Sequence, residues 1–332
     1  MRLTRLAIAT APALFVLLWS TGFIGARFGL PYIEPLTFGA VRMAFAVLIM
    51  TAIVIIGNAQ RPDAGEVGHS LVAGSLVHGL CVGGVYTAIS QGVPVGISAL
   101  ILGLQPILAS TIADRFLGDR VTPVQWAGLV LGVVGVLLVL HDRSIVLAGS
   151  ALGWVASFLS LIGITLGTLY QKRYCGGIDW RTGNLTQCIG AGLLFAAGAF
   201  AFETCEIRWS GELIFALVWL VLVLSIAAVG LMYWLIRRSA ATGFASLFYL
   251  VPAVTAIFAF ILFGERLDAL SVLGMVSVPA ACCWPIRAPQ SLASFNCTAA
   301  RPCPTTLLKE ANVRCWHVAD ILTCTANVRF WG

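Results

Sequence analysis

Charge is scarce in this chain. Of its 332 residues, 10% are Asp, Glu, Lys or Arg and 59% are hydrophobic, whereas a soluble fold carries about 25% charged residues. So few charges cannot cover a soluble surface of this size, which excludes an ordinary soluble enzyme, a disordered protein and a small disulfide scaffold. Phosphate-binding Walker loops, His-Glu-x-x-His pairs, nucleophile elbows and dinucleotide fingerprints are all missing, so no cofactor and no catalytic residue is implied. Carboxylates are missing from the middles of the apolar runs: Asp114, Asp119, Glu203, Glu265 and Asp268 fall near their ends, which weakens any carboxylate relay across a membrane. The net charge of +6 comes from basic residues set singly or in pairs. That pattern orients membrane insertion and gives no nucleic-acid surface. The ten cysteines form no framework. Cys297, Cys303, Cys315, His317 and Cys324 fit no paired-knuckle zinc spacing, so no metal is expected.

What the chain does have is apolar length. A spanning helix needs about 20 mostly apolar residues, and ten runs qualify: 6–26, 36–57, 70–90, 96–116, 121–140, 152–170, 183–202, 212–236, 241–263 and 267–286. Their backbone polar groups cannot be left open to lipid, so the runs are expected to be helices. This predicts an all-α polytopic membrane protein with ten transmembrane helices and an uncleaved first span. With both termini cytoplasmic, Arg2, Arg5, Arg61, Arg115, Arg120, Lys172, Arg173, Arg181, Arg237 and Arg238 lie inside, against Arg27, Arg143, Arg208 and Arg266 outside. That asymmetry obeys the positive-inside rule and suits a bacterial-type inner membrane.

The chain also repeats itself. Pro106, Gly118-Asp119-Arg120 and Gly128 recur as Pro252, Gly264-Glu265-Arg266 and Gly274 at an offset of 146 residues. Tyr86 falls opposite Tyr233 and Gly96 opposite Gly243 at 147, and Arg42 opposite Gln187 at 145. Two units of five helices follow, 1–140 and 141–286. Five being odd, the second enters the membrane inverted, an architecture of secondary transporters with the substrate site at the repeat interface.

The motifs themselves are familiar. The stretch from Leu17 through Trp19-Ser20-Thr21-Gly22 to Arg27, then Glu34-Pro35 and Arg42, resembles the first helix pair of EamA-type proteins in the drug/metabolite transporter superfamily. Gln105-Pro106 through Gly118-Asp119-Arg120 to Gly128 resembles that family's fourth and fifth helices, and Val251-Pro252 through Gly264-Glu265-Arg266 its ninth and tenth. The resemblance implies a ten-helix inverted-repeat carrier, usually an exporter of amino acids, metabolites or drugs, with a cavity formed mainly by helices 1, 3, 4, 6, 8 and 9.

Candidate cavity residues combine an apolar body or small size with a hydrogen-bonding group: Trp19, Ser20, Tyr86, Ser90, Gln105, Thr168, Tyr233 and Tyr249. Each could equally serve as a belt residue or an interhelix hydrogen bond. Arg42, about two turns into its helix, is either a topological arginine that snorkels to the interface or an anion-binding or gating group. His78, mid-span, is either a packing histidine or the candidate for proton coupling. Pro106 and Pro252 each free a backbone carbonyl, as a gating segment or a structural kink.

The tenth span departs from the pattern. Its repeat partner is uninterrupted, whereas here Pro279 and Pro285 bracket Cys282-Cys283-Trp284, and residues 287–332 carry no usable periodicity. That tail is expected to be a frameshifted or disordered ending. The expected function is a secondary transporter exporting a small metabolite such as an amino acid by alternating access. A drug-efflux carrier, a membrane-embedded enzyme and an inactive product with a broken tenth helix are the alternatives. The implied partners are a small-molecule substrate and the lipid bilayer, with the oligomeric state left open. Mass spectrometry of the native membrane fraction checks the tail: a frameshifted ending predicts no peptides from 314–332, and their recovery refutes it.

Overall fold

The computed structural model describes residues 2–106, 108–109, 111–112, 149–238 and 250–265. The fifth and tenth apolar runs, the Asp119-Arg120 pair, Tyr249 and the tail lie outside them. All named elements among the described residues are helical: α1 (Arg2–Gly29), α2 (Pro35–Ile56), α3 (Ala64–Gly74), π1 (Ser75–Leu80), α4 (Cys81–Ser90), α5 (Val95–Leu102), α6 (Ala151–Tyr174), α7 (Trp180–Phe202), α8 (Gly211–Val218), π2 (Trp219–Ala228), α9 (Val229–Arg238) and α10 (Leu250–Phe263). Six helical stretches among them are long and apolar enough to cross a membrane: Thr10–Gly29, Pro35–Ile56, Ala64–Ser90, Ala151–Tyr174, Trp180–Phe202 and Gly211–Met232.

Local chemistry explains where these helices start. A helix leaves its first amide groups unpaired, and a side-chain oxygen at the cap accepts from them. Asp63 and Glu66 form a reciprocal capping box at α3. Ser150 accepts from Gly153 N at α6, and Ser210 from Leu213 N at α8. Asp179 accepts from Arg181 N at α7. Arg181 beside Asp179, at 2.7 Å, holds that carboxyl below the usual range. Pro35 opens α2, where its missing N–H costs nothing.

The outside is apolar, and polar groups are buried among an apolar core. Phe200 and Phe202 are 83% and 85% exposed, as are many other large apolar side chains, while Arg42, Asn184, Gln187 and a dozen or so Ser and Thr hydroxyls are buried. In water that distribution would be unstable; in lipid it is the favoured one, since the tails solvate Leu and Phe while polar groups seek one another. Small residues bring the backbones together. A Cβ on Gly74 would land on the carbonyl oxygen of Gln187, and one on Gly84 would lie 2.6 Å from that of Ala156. These two glycines let the α3–π1–α4 span lie against α7 on one side and α6 on the other.

The α2–α7 pair is tied at both ends. At one end Glu203 reaches across to cap α2, its carboxylate accepting from Leu36 N at 2.8 Å, Thr37 N at 2.7 Å and the Thr37 hydroxyl at 2.8 Å. Glu34 reciprocates by accepting from Thr204 N, Thr204 Oγ1 and Cys205 N, which holds Cys205 at φ +58°. At the other end Arg181 donates to the carbonyl of Gly57 at 2.7 Å.

Two of the long stretches are interrupted by π-helix, at Ser75–Leu80 and Trp219–Ala228. Their parent stretches begin 147 residues apart, at Ala64 and Gly211. The positive-φ residues that follow α2 and α7, Asn58 and Cys205, are also 147 apart. Extended π-helix is rare and frequently marks functional sites.

Gly74→Val is expected to lower thermal stability by about 1–3 kcal/mol, the usual cost of overpacking, because the clash is with backbone. Thermal unfolding of the purified chain, followed by circular dichroism, checks this.

Candidate functional site

The interrupted helices face a cavity of about 520 Å³ bounded by residues of α1, α2, π1, α4, α5, α6, α7, π2, α9 and α10, within the range of small-molecule sites. Most of the lining is apolar, with Trp19, Phe23, Val82, Val85, Leu224, Met232 and Val251 contributing. Trp19 stacks at a tilt on Phe15, with ring centroids 5.3 Å apart.

The polar groups converge on one cation. Arg42 projects from α2 and is only 3% exposed. Its Nη1 donates to the Tyr86 hydroxyl at 2.6 Å and its Nη2 to Ser225 Oγ at 3.2 Å, while Nε is buried with no hydrogen-bond partner. Of the two readings open for Arg42, its burial and its bonds to Tyr86 and Ser225 favour a guanidinium held inside the bundle over one that snorkels. Ser225 in turn donates to Leu220 O, five residues back, at 3.1 Å. Asn184 Nδ2 donates to the Ser225 carbonyl at 3.2 Å. His78, on π1, and Gln187, on α7, both line the cavity. Nearer the C-terminal end of α6, Gln105 Nε2 donates to Thr168 Oγ1 at 3.1 Å, and Gln171 and Lys172 complete that wall.

Of the residues singled out from sequence, Trp19, Tyr86, Gln105, Thr168, Arg42, His78, Pro106 and Pro252 border this one cavity. Ser20 sits beside it, its hydroxyl engaged by the carbonyls of Val16 at 2.8 Å and Val251 at 3.3 Å across the α1–α10 contact. Ser90 does not belong to it. It ends α4, is exposed, and donates back to Thr87 O at 2.9 Å. Tyr233 falls in α9 with its side chain outside the described atoms, and Tyr249 lies outside the described residues. Three polar lining residues, Asn184, Gln187 and Ser225, were not among the cavity candidates, although Gln187 stood out as the repeat counterpart of Arg42. Asn184 and Gln187 did carry a signal: two amides at i, i+3 on one face of an apolar run.

Another carboxylate ties the end of α10 to the start of α5. Glu265, just beyond α10, accepts from Val95 N at 3.2 Å and Gly96 N at 3.3 Å, where α5 begins.

Comparison with known proteins identifies what kind of molecule houses this cavity. The EamA-like transporter family matches residues 6–141 and 151–284. The chain belongs to that family. This transporter is 24% identical over 265 residues to the "Uncharacterized inner membrane transporter YedA" of Escherichia coli K12, covering 79% of this chain and 86% of that one. It is also 24% identical over 275 residues to a "Probable amino-acid metabolite efflux pump" of the same organism, covering 80% and 90%. To the "Uncharacterized transporter YvbV" of Bacillus subtilis it is 22% identical over 286 residues, covering 85% and 92%. A crystal structure shares the fold with a TM-score of 0.62 at 16% identity, over 83% of the transporter and 96% of the matched chain.

Glu203→Gln puts an amide N–H against backbone donors of α2. It is expected to cost about 1–3 kcal/mol, the penalty for a donor left unsatisfied, read as a lower unfolding temperature of the detergent-solubilised chain.

Proposed function

We propose that the chain is a secondary transporter of the bacterial inner membrane that exports a small metabolite, such as an amino acid, by alternating access. The observation that carries this reading is the cavity: metabolite-sized, mostly apolar, polar only at its floor and at the α6 wall. A relative named as an amino-acid metabolite efflux pump supports the substrate class, and one named as an inner membrane transporter supports the location.

The architecture proposed is ten helices in two inverted repeats, 1–140 and 141–286. Its support is the 147-residue recurrence of the π-interrupted stretches and of the left-handed residues after α2 and α7. With the N-terminus cytoplasmic, the Glu34, Glu203 and Glu265 ties lie on the outer face, and the Gln171–Lys172 wall lies toward the cytoplasm. On that face Glu203 and Glu265 cap helices of the opposite repeat. Trp19, Tyr86, Gln105 and Thr168 contact substrate in this reading, and Pro106 and Pro252 are the points at which helices flex.

Uptake into everted membrane vesicles, screened by mass spectrometry across amino acids, nucleosides and common drugs, tests the proposal. Accumulation of one solute class, lowered at least about tenfold by Trp19→Ala, is expected; no accumulation of any solute by correctly inserted protein rejects it. Proton coupling through His78 predicts that His78→Gln flattens the pH dependence of transport, whereas an unchanged profile assigns His78 to packing.

A further inference from the structure

The floor of the cavity specifies the charge of its ligand, an inference that rests on the transport reading above. Among the described lining residues are Arg42, His78 and Lys172, and no Asp or Glu. No described carboxylate lies within ion-pair distance of Arg42. A guanidinium has five N–H donors in a planar fork. Here one donor on Nη1 and one on Nη2 are hydrogen-bonded, and the Nε donor is buried and unmet. Burying a cation without a counter-charge costs several kcal/mol, and leaving one of its donors unmet adds to that cost.

The described residues that hydrogen-bond the guanidinium are neutral. Tyr86 and Ser225 offer hydroxyl oxygens, and Asn184 spends its amide N–H on a backbone carbonyl. The unfilled requirement is therefore a counter-charge that also accepts N–H hydrogen bonds. A carboxylate does so through a bidentate fork.

We propose that the floor of the cavity is a carboxylate subsite, in which the Arg42 guanidinium receives the singly charged acid group of the transported solute. The rest of the solute lies against the apolar wall of Trp19, Phe23 and Leu224. Tyr86 and Ser225 are positioning residues that keep the guanidinium turned into the cavity. The substrate class is then a small carboxylate with an apolar body, and lipophilic cations are disfavoured by the same charge.

The test uses three probes of one shape on the purified full-length chain at pH 7: 4-phenylbutyrate, 4-phenylbutyramide and 4-phenylbutylamine. Each is titrated while the unfolding temperature is followed, since a ligand of the native state raises it by mass action. A charge-assisted hydrogen-bond pair predicts that the acid binds roughly tenfold to a hundredfold more tightly than the amide, with the amine weakest. Arg42→Gln is expected to bring the acid down to the amide's level. Equal binding of acid and amide, or tighter binding of the amine, overturns the proposal, as does an acid preference that survives Arg42→Gln. The wild-type comparison decides the matter even if that variant does not fold. Acid and amide binding equally removes only the subsite and leaves the transport cavity standing. Acid-selective binding without vesicle transport of any solute removes the transport reading and leaves the subsite.

Discussion

A single guanidinium sits where lipid-embedded proteins least tolerate charge, and the surrounding structure is arranged to hold it. Arg42 is buried deep in the bundle with only hydroxyl partners. Meeting its donors requires a tyrosine from α4 and a serine from π2 at one point, so three helices far apart in sequence must converge there. The backbone approach at Gly74 and Gly84, the asparagine under Ser225 and the ties between α2 and α7 all serve that convergence. A rigid α2 is the first condition for a rigid arginine.

The same polarity logic runs through the whole bundle. The longer helices present large apolar side chains outward and bury Ser and Thr hydroxyls among the core, because lipid offers no hydrophobic force to bring helices together. Association then depends on close backbone contact and on hydrogen bonds between helices. The carboxylates near the helix ends belong to this scheme. Glu34, Glu203 and Glu265 each satisfy amide groups of a different segment, and for Glu203 and Glu265 those amides open a helix, where a negative charge complements the dipole.

The helical class was legible in the sequence because apolar length alone dictates it. The runs at 36–57, 152–170 and 183–202 match α2, α6 and α7 to within a few residues at each end, apart from the four residues by which α6 outruns its apolar stretch. The π-helical interruptions were not legible, since Ser75–Leu80 and Trp219–Ala228 have the composition of their α-helical flanks. The depth of Arg42 could be counted from its helix start, but its facing could not, because Tyr86 and Ser225 are 44 and 183 residues away. Ser90 was placed by helix membership and lost by position, at a helix end where its hydroxyl turns to its own backbone. Glu203 and Glu265 were visible as helix-end residues, while their role as caps for other helices needed the tertiary fold.

The Ser225 hydrogen bond couples the arginine to the winding of its helix. In α-helix the hydroxyl of Ser225 would reach a carbonyl four residues back; in π2 it reaches Leu220, five back, and its oxygen is left turned toward Arg42. Each residue of an α-helix turns by about 100°. Rewinding this stretch from π to α would swing Ser225 around the axis and withdraw the acceptor from the guanidinium. The coil state of one helix and the grip on a buried charge in another are thus two readings of the same hydroxyl.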